Sequence, residues 1–149
     1  MINEIIHAMS VAIDEEFNAT DDAYEIYDKE IPQDLNAPAF YIQSINPDTS
    51  LFLGKRYLTH NHMLVQYFPV SETDYQEECN SIGEQLIWIL EWIQCAGDDR
   101  PIRGSNMHFE VVDGILNFFV DYEFFIRKIE EKDKMESLEL QQIEKKGSN

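Results

Sequence analysis

The chain has 149 residues, of which 44% are hydrophobic, a length and apolar content that suit one domain with one core. Its 29 acidic and 11 basic residues give a formal net charge of −18, which excludes sequence-independent binding of a nucleic-acid backbone and disfavours anionic membranes, since both need a basic face. Because no apolar run approaches the ~20 residues of a membrane span and the start lacks the basic residues of a signal peptide, we expect a cytoplasmic protein.

The first half of the chain predicts one helix followed by three strands. Residues 2–17 form the helix, because their apolar side chains recur at the i, i+3, i+4 spacing of one buried stripe. Pro47-Asp48 is expected to end the second strand. Residues 51–58, interrupted by Gly54, predict either a continuation of the sheet or an extended hairpin arm. The three strands are predicted over residues 23–31, 39–46 and 62–68.

The second half predicts a helix and a β-hairpin. Residues 74–93 form the helix, since their apolar residues share one face and acidic residues occupy the first turns. Residues 107–111 and 116–126 alternate in hydropathy on either side of Asp113-Gly114, which is a two-residue turn signal. The second of these strands is long, so we expect it in the centre of the sheet. From Lys128 onward, mixed charge predicts a frayed helix or disorder.

The predicted element order, α-β-β-β-α-β-β, indicates one α+β domain over residues 1–127, followed by a charged tail over residues 128–149. Short connections between consecutive strands favour a mostly antiparallel sheet of about five strands. Two helices covering one face of that sheet make a two-layer domain. The other face keeps Phe119 and Phe125, and an open sheet with an apolar second face calls for a partner.

No set of residues marks an active site. His60 and His62 place two imidazoles on one side of a strand, but a metal site needs further ligands, so we interpret them as two loop histidines. Cys79 lies on the apolar face of the second helix and, like Cys95, is interpreted as a reduced structural thiol. The sequence also lacks glycine-rich phosphate loops and the calcium-binding loop. We therefore expect no catalytic residue, no metal and no cofactor.

Several short segments spread over residues 1–127 carry a resemblance to known proteins. They are Met1–Ile6, Tyr24–Tyr27, Pro38–Ile42, Asn46-Pro47, Leu53–Tyr57, Val65–Pro69, Ile102–Gly104, Val111–Gly114 and Phe118–Tyr122. Together they resemble the tail terminator proteins of long-tailed phages and phage-like contractile particles. More specifically, the chain is similar to the tail terminator family found in prophages of Firmicutes.

The resemblance implies a structural protein of particle assembly and not an enzyme. Such proteins have a sheet backed by helices and assemble as a hexameric ring on the last ring of the tail tube. They stop tube polymerisation and offer a surface to the head connector, or to a collar in headless particles. For this chain the resemblance implies a homo-hexamer in the virion neck, assembled in the bacterial host cytoplasm. Its partners would be tube, sheath and connector or collar proteins, with DNA only as passing cargo.

Residues 50–61 are the segment best suited to such contacts. They combine apolar, aromatic and basic side chains, a mixture enriched in interface cores, and they hold two of the six bases within residues 1–127. In an acidic ring these bases would meet a neighbour's acids, for example within residues 14–34. The alternative is an ordinary hairpin. The interface residues that we predict are Leu51, Phe52, Leu53, Lys55, Arg56, Tyr57, Phe119 and Phe125.

Three other functions stay open from the sequence. A different ring of the same neck, such as a head-tail joining or completion protein, shares the size and acidity of a terminator. A small inhibitor could mimic DNA through its acids, although such mimicry favours acid-rich helices and the acids here are scattered among strands and loops. An enzyme with an unfamiliar site is the third. A concentration-dependent hexamer favours a ring protein, whereas a strict monomer that blocks a DNA-binding protein favours the mimic.

Overall fold

A computed structural model describes residues 1–129 of the chain, with two helices and six strands in that part. The helices are α1 (Ile2–Phe17) and α2 (Tyr75–Ile89). The strands are β1 (Glu25–Tyr27), β2 (Ala39–Leu53), β3 (Arg56–Phe68), β4 (Trp92–Ile93), β5 (Ile102–Val112) and β6 (Ile115–Arg127). The predicted α+β class is confirmed. Of the tail predicted for residues 128–149, all but the first two residues lie outside the described part.

Helix α1 forms where the apolar stripe was predicted. Asn18 follows its last residue, and the Asn18 side chain accepts a hydrogen bond from the Tyr24 N–H (2.9 Å) and donates one to the Tyr24 carbonyl oxygen (3.0 Å). This reciprocal pair fixes the turn that leads to β1. The Phe17 ring packs on the Phe40 ring of β2, with centroids 4.9 Å apart. The buried residues of α1 are Ile5, Ala8, Met9 and Ile13.

The strand order is β1-β2-β3-β6-β5-β4. The long strand β6 therefore lies between β3 and β5, which confirms its predicted central position. Strands β5 and β6 pair antiparallel, and Asp113 and Gly114 between them have φ of 53° and 76°. Positive φ at both central residues is what a type I′ hairpin turn requires, and it explains why Asp-Gly marks the turn in the sequence.

The first strand pair corrects the expectation of antiparallel neighbours. β1 pairs parallel with β2, with Glu25 opposite Ala39 and Tyr27 opposite Tyr41. Residues 28–38 carry the chain back to the same end of the sheet before β2 begins, so a short connection does not here imply antiparallel pairing. The strand predicted over residues 23–31 is shortened to the three residues of β1.

The sixth strand arises because α2 ends at Ile89 and not at Ile93. The Leu90 N–H still donates to the Leu86 carbonyl oxygen (2.9 Å), and then the chain turns into β4. β4 pairs antiparallel with β5, with Ile93 opposite Ile102. Since Ile93 is buried in this strand, as it would be on the helix face, its hydrophobicity could not distinguish the two structures.

Pro47 does not end β2, which corrects a second boundary. The strand continues through Pro47 to Leu53. Among the described residues, β1 pairs with β2 only over residues 39–41, so Pro47 lies beyond the stretch that pairs on that side, and strands accept proline where no neighbour needs its N–H. Asn46 before it has a positive φ of 48°, an irregularity of the kind that lets a strand accept proline.

The core lies between the helices and one face of the sheet. Helix α1 contacts α2 and β4, and α2 contacts β4 and β5. At Gly83 of α2, a Cβ atom would lie 2.8 Å from the Phe109 ring of β5, so only glycine allows this approach without rearrangement. Alternate residues of β6 are buried, as expected of a strand with one covered face, namely Leu116, Phe118, Val120 and Tyr122.

The chain divides into two compact units. The first comprises residues 1–48 and 60–123 and contains both helices. The second comprises, among the described residues, 49–59 and 124–129. Strands β2, β3 and β6 contribute residues to both units. Among the described residues, no helix is long and apolar enough to cross a membrane.

Candidate assembly surface

The second unit consists of a hairpin and the end of β6. We call its described residues, 49–59 and 124–129, the arm. The hairpin turns at Gly54-Lys55, and Gly54 has φ of 60°, the positive value that a type II′ turn needs at its first central position. The Lys128 N–H donates to the Lys55 carbonyl oxygen (2.9 Å) and ties the end of β6 to the turn. Both alternatives predicted for this segment hold, because the strands continue and form a hairpin.

Five large apolar side chains of the arm are exposed, one of which is Ile129 at 46%. Leu51 is 61% exposed, Phe52 55%, Leu53 68% and Phe125 45%. Tyr57, also predicted as an interface residue, is only partly exposed. A cluster of exposed apolar side chains on a small unit is typical of a surface that binds another protein.

Arg56 holds two of these aromatic rings together. Its guanidinium carbon lies 4.4 Å from the centroid of the Phe125 ring and 5.6 Å from that of Phe52. The two rings contact each other edge to face, with centroids 4.8 Å apart. A guanidinium over an aromatic face contributes about 0.5–1 kcal/mol at exposed sites. The arm therefore presents a preformed aromatic surface with a positive charge in it.

The two units carry opposite charge. The described arm has four basic residues, Lys55, Arg56, Arg127 and Lys128, and no acid, which gives it +4. The first unit has 23 acids and three bases, a net of −20. Residues 130–149, with six acids and four bases, bring the total to −18. The acidic residues of the described chain thus all lie in the first unit, whereas the arm is basic.

The second face of the sheet is polar at its centre, which corrects the expectation of an apolar face. The side-chain amide of Gln43 donates to that of Gln66 (3.4 Å), which donates to that of Asn117 (3.0 Å), so a ladder crosses β2, β3 and β6. Phe119 is partly buried and stacks on the His108 ring, with centroids 4.9 Å apart. Of the eight predicted interface residues, Phe119 lies in the first unit and the other seven lie on the arm.

His60 and His62 lie on β3, so the interpretation of two loop histidines was wrong. His60 Nδ1 is 2.8 Å from Asp48 Oδ1, and His60 Nε2 is 3.4 Å from Glu123 Oε2. His62 Nδ1 is 2.9 Å from Asp121 Oδ1, and His62 Nε2 is 3.4 Å from Asp48 Oδ2. We call these five residues the histidine–carboxylate cluster.

The contacts within the cluster favour the protonated form of both histidines and the ionised form of Asp48. The hydrogen bond with Asp48 raises the pKa of His60, and the hydrogen bond with Asp121 raises the pKa of His62. The same contact with His60 lowers the pKa of Asp48. In the described part of the chain, no three or more His, Cys, Asp or Glu residues are placed to hold a metal ion. His-x-His spacing was the visible signal, whereas the carboxylates come from other strands, 12 and 59 positions away.

Cys79 and Cys95 are buried and unpaired with each other, as expected of reduced structural thiols. Burial raises the pKa of both thiols, which keeps them protonated at neutral pH. A nucleophilic cysteine needs the opposite shift and some exposure. Neither thiol is therefore placed for covalent catalysis.

Residues 4–134 match the family model described as phage tail terminator protein. The chain belongs to the phage tail terminator family. Proteins of this family are structural components of the virion tail, so the family gives no reason to expect an active site. The matched residues include the first unit from Glu4 onward and the whole of the described arm.

The remaining comparisons add no functional information. One solved structure aligns with 87% of this tail terminator family member and with 97% of its own chain, at 12% sequence identity and a TM-score of 0.44. That similarity is too low to support a conclusion about fold or function. No curated protein matches the sequence significantly.

Proposed function

We propose that six copies of the chain form a ring that caps the head-proximal end of the tail tube. The ring stops tube polymerisation and presents its other side to a connector or collar protein. Its further neighbours are the tube protein and, in a contractile particle, the sheath. Family membership supports the terminator role, and the arm supports the manner of assembly.

The observation that carries this proposal is the contrast between the arm and the first unit. A ring of identical copies joined head to tail uses two different surfaces of each subunit, which must complement each other. The arm offers exposed apolar side chains with a charge of +4, and the first unit offers a net charge of −20. The arm of one copy therefore complements the acidic first unit of the next copy. Its positive charge offsets the repulsion between neighbouring first units.

The acidic stretch over residues 14–34 is the part of the first unit best suited to receive the arm. It contains nine acids and one base. A surface groove in this region is lined by Asp14, Asp22 and Glu25 together with the apolar side chains of Val11 and Ile26. This mixture of carboxylate and apolar groups matches the basic and apolar composition of the arm.

The charge also fits a ring through which DNA passes without binding. Contacts with phosphates dominate nucleic-acid affinity, and acidic walls repel them. The four bases of the described arm are engaged by protein neighbours in this arrangement. DNA is then cargo and not a ligand.

Capping of purified tail tubes tests the proposal. Phe52→Asp puts a charge into the aromatic surface of the arm, and we expect a folded protein that fails to form rings and to limit tube length. Phe52→Leu keeps the apolar contact and should cap tubes normally. Val112→Asp, at an exposed apolar position of the first unit (46% exposed), is the control for the added charge.

Light scattering measures ring formation, and electron micrographs measure the length of the tubes. Wild-type chain should give tubes of uniform length, with rings at one end only. Normal capping by Phe52→Asp would exclude the arm as the contact surface. Wild-type chain that leaves tube growth unchanged, but binds a head-completion ring, would assign it to another part of the neck.

A further inference from the structure

The histidine–carboxylate cluster lies within the first unit, on strands β2, β3 and β6. Asp48, His60 and Glu123 are the residues at which the first-unit portions of these three strands begin or end. His60 contacts the other two through its two ring nitrogens, at 2.8 and 3.4 Å. One imidazole thus joins the ends of the first-unit portions of β2, β3 and β6.

His62, two residues after His60 on β3, makes the same kind of contacts. Its ring nitrogens contact Asp121 of β6 and Asp48 of β2. Asp121 also accepts a hydrogen bond from the Asn106 side chain of β5 (2.9 Å). A surface groove beside the cluster is lined by His62, Asp121 and His108 of β5. The Nδ1 atom of His108 lies 3.0 Å from the Asn106 carbonyl oxygen.

The balance of charge in the cluster depends on the two imidazoles. Three carboxylates and two protonated histidines sum to a charge of −1, whereas the same five residues sum to −3 when both histidines are neutral. The imidazole rings lie 6.1 Å apart, so their mutual repulsion is weaker than their contacts with the carboxylates at 2.8 to 3.4 Å. Loss of the two protons leaves each imidazole with one N–H for its two carboxylate contacts, and therefore weakens the attraction within the cluster.

We propose that the histidine–carboxylate cluster is a pH-operated clasp, which holds the three strand ends together while its histidines are protonated and loosens them when they are neutral. The clasp acts within the first unit of a single chain. It does not depend on ring formation, and its tests use the isolated protein.

The direction of the pH effect follows from proton linkage. Because the pKa of each histidine is raised above 6.5 in the folded chain, the stabilisation is complete below 6.5 and is lost as the pH rises through the folded pKa. Because the pKa of Asp48 is lowered below 3.8, its contribution is present above 3.8 and is lost as the pH falls through the folded pKa. The clasp is closed between these limits.

Titration of the imidazole protons by NMR tests the contacts one at a time. In the wild-type chain we expect both histidines to titrate above 6.5. Asp48→Asn should lower the pKa of both histidines. Glu123→Gln should lower the pKa of His60 alone, and Asp121→Asn should lower the pKa of His62 alone. Wild-type values at or below 6.5, or equal effects of Glu123→Gln on both histidines, would overturn the proposal.

Hydrogen exchange, corrected for the intrinsic pH dependence of the amides, tests the loosening. Between pH 6 and a pH above both folded pKa values, the opening equilibrium around His60 and His62 should rise about tenfold for each unit by which their pKa values exceed those of the open chain. His60→Asn/His62→Asn should remove this rise, and His7→Asn should keep it. A wild-type chain whose protection is unchanged over this range contradicts the clasp.

Discussion

The guanidinium carbon of Arg56 lies 4.4 Å from the centre of the Phe125 ring, although the two residues are far apart in the sequence. The contact joins the β2–β3 hairpin to the end of β6, and the Phe52 ring contacts both the guanidinium and the Phe125 ring. The aromatic surface of the arm is therefore formed before any partner arrives. A preformed surface loses less conformational freedom on binding, which favours assembly.

Substitution of Arg56 separates the effect of its shape from that of its charge. Arg56→Lys keeps the charge but loses the planar group that stacks on the rings, and Arg56→Ala loses both. Because the contact is exposed, we expect either change to lower the free energy of unfolding by no more than about 1 kcal/mol. Tube capping should be weaker for Arg56→Lys than for the wild-type chain, and weaker still for Arg56→Ala. Full capping by Arg56→Ala would show that the stacked surface is not used.

Leu86 on α2 is a core position and should tolerate no charge. It is fully buried, so Leu86→Ala should lower the free energy of unfolding by about 2–5 kcal/mol. Leu86→Asp buries an uncompensated carboxylate and should prevent folding. Chemical denaturation followed by circular dichroism measures both effects. Trp88→Ala, on the same helix but at a side chain that is 75% exposed, is the matched control and should change stability little.

The Tyr122 hydroxyl donates a buried hydrogen bond to the Leu90 carbonyl oxygen (2.7 Å) and holds the end of α2 over the sheet. Burial raises the pKa of Tyr122, so the group stays a donor at all moderate pH values. Tyr122→Phe leaves the carbonyl without this donor and should cost about 1–3 kcal/mol. Tyr75→Phe, at a partly exposed position, is the control. Equal stability of the two variants in urea would contradict the assigned role.

Thiol labelling tests the burial of both cysteines. A thiol reagent at neutral pH should modify neither Cys79 nor Cys95 in the folded chain, because burial raises the pKa of each and restricts access. In denaturant, both should react at the rate of free cysteine. Rapid labelling of one cysteine in the folded chain would identify an opening that the structure does not show.

The sequence predicted the elements with strong periodicity. The α1 stripe, the Asp113-Gly114 hairpin and the central position of β6 all follow from local spacing, which is visible along the chain. The end of α2 was wrong because Ile93 is buried in a strand as it would be in a helix. The break at Pro47 was wrong because a strand can continue through proline where no neighbouring strand needs its N–H, and among the described residues β1 pairs with β2 only over residues 39–41.

The sequence predicted part of the arm but did not predict the histidine–carboxylate cluster. The hairpin of the arm was one of two structures predicted for residues 51–58, and its apolar and basic residues stood out because they are consecutive in the sequence. Arg127 and Lys128, which double its charge, come from the end of β6 and could not be added to it from the sequence. The histidine–carboxylate cluster was missed for the same reason, since its acids lie on β2 and β6 and only pairing of the strands brings them to His60 and His62.

Electron cryomicroscopy of intact particles, with the chain located in the map, tests the proposed ring most directly. We expect six copies around the tail axis at the head-proximal end of the tube, with each arm against the acidic first unit of the adjacent copy. Density for the chain at any other position along the particle, or a ring in which the arms contact no neighbouring protein, would contradict the proposal.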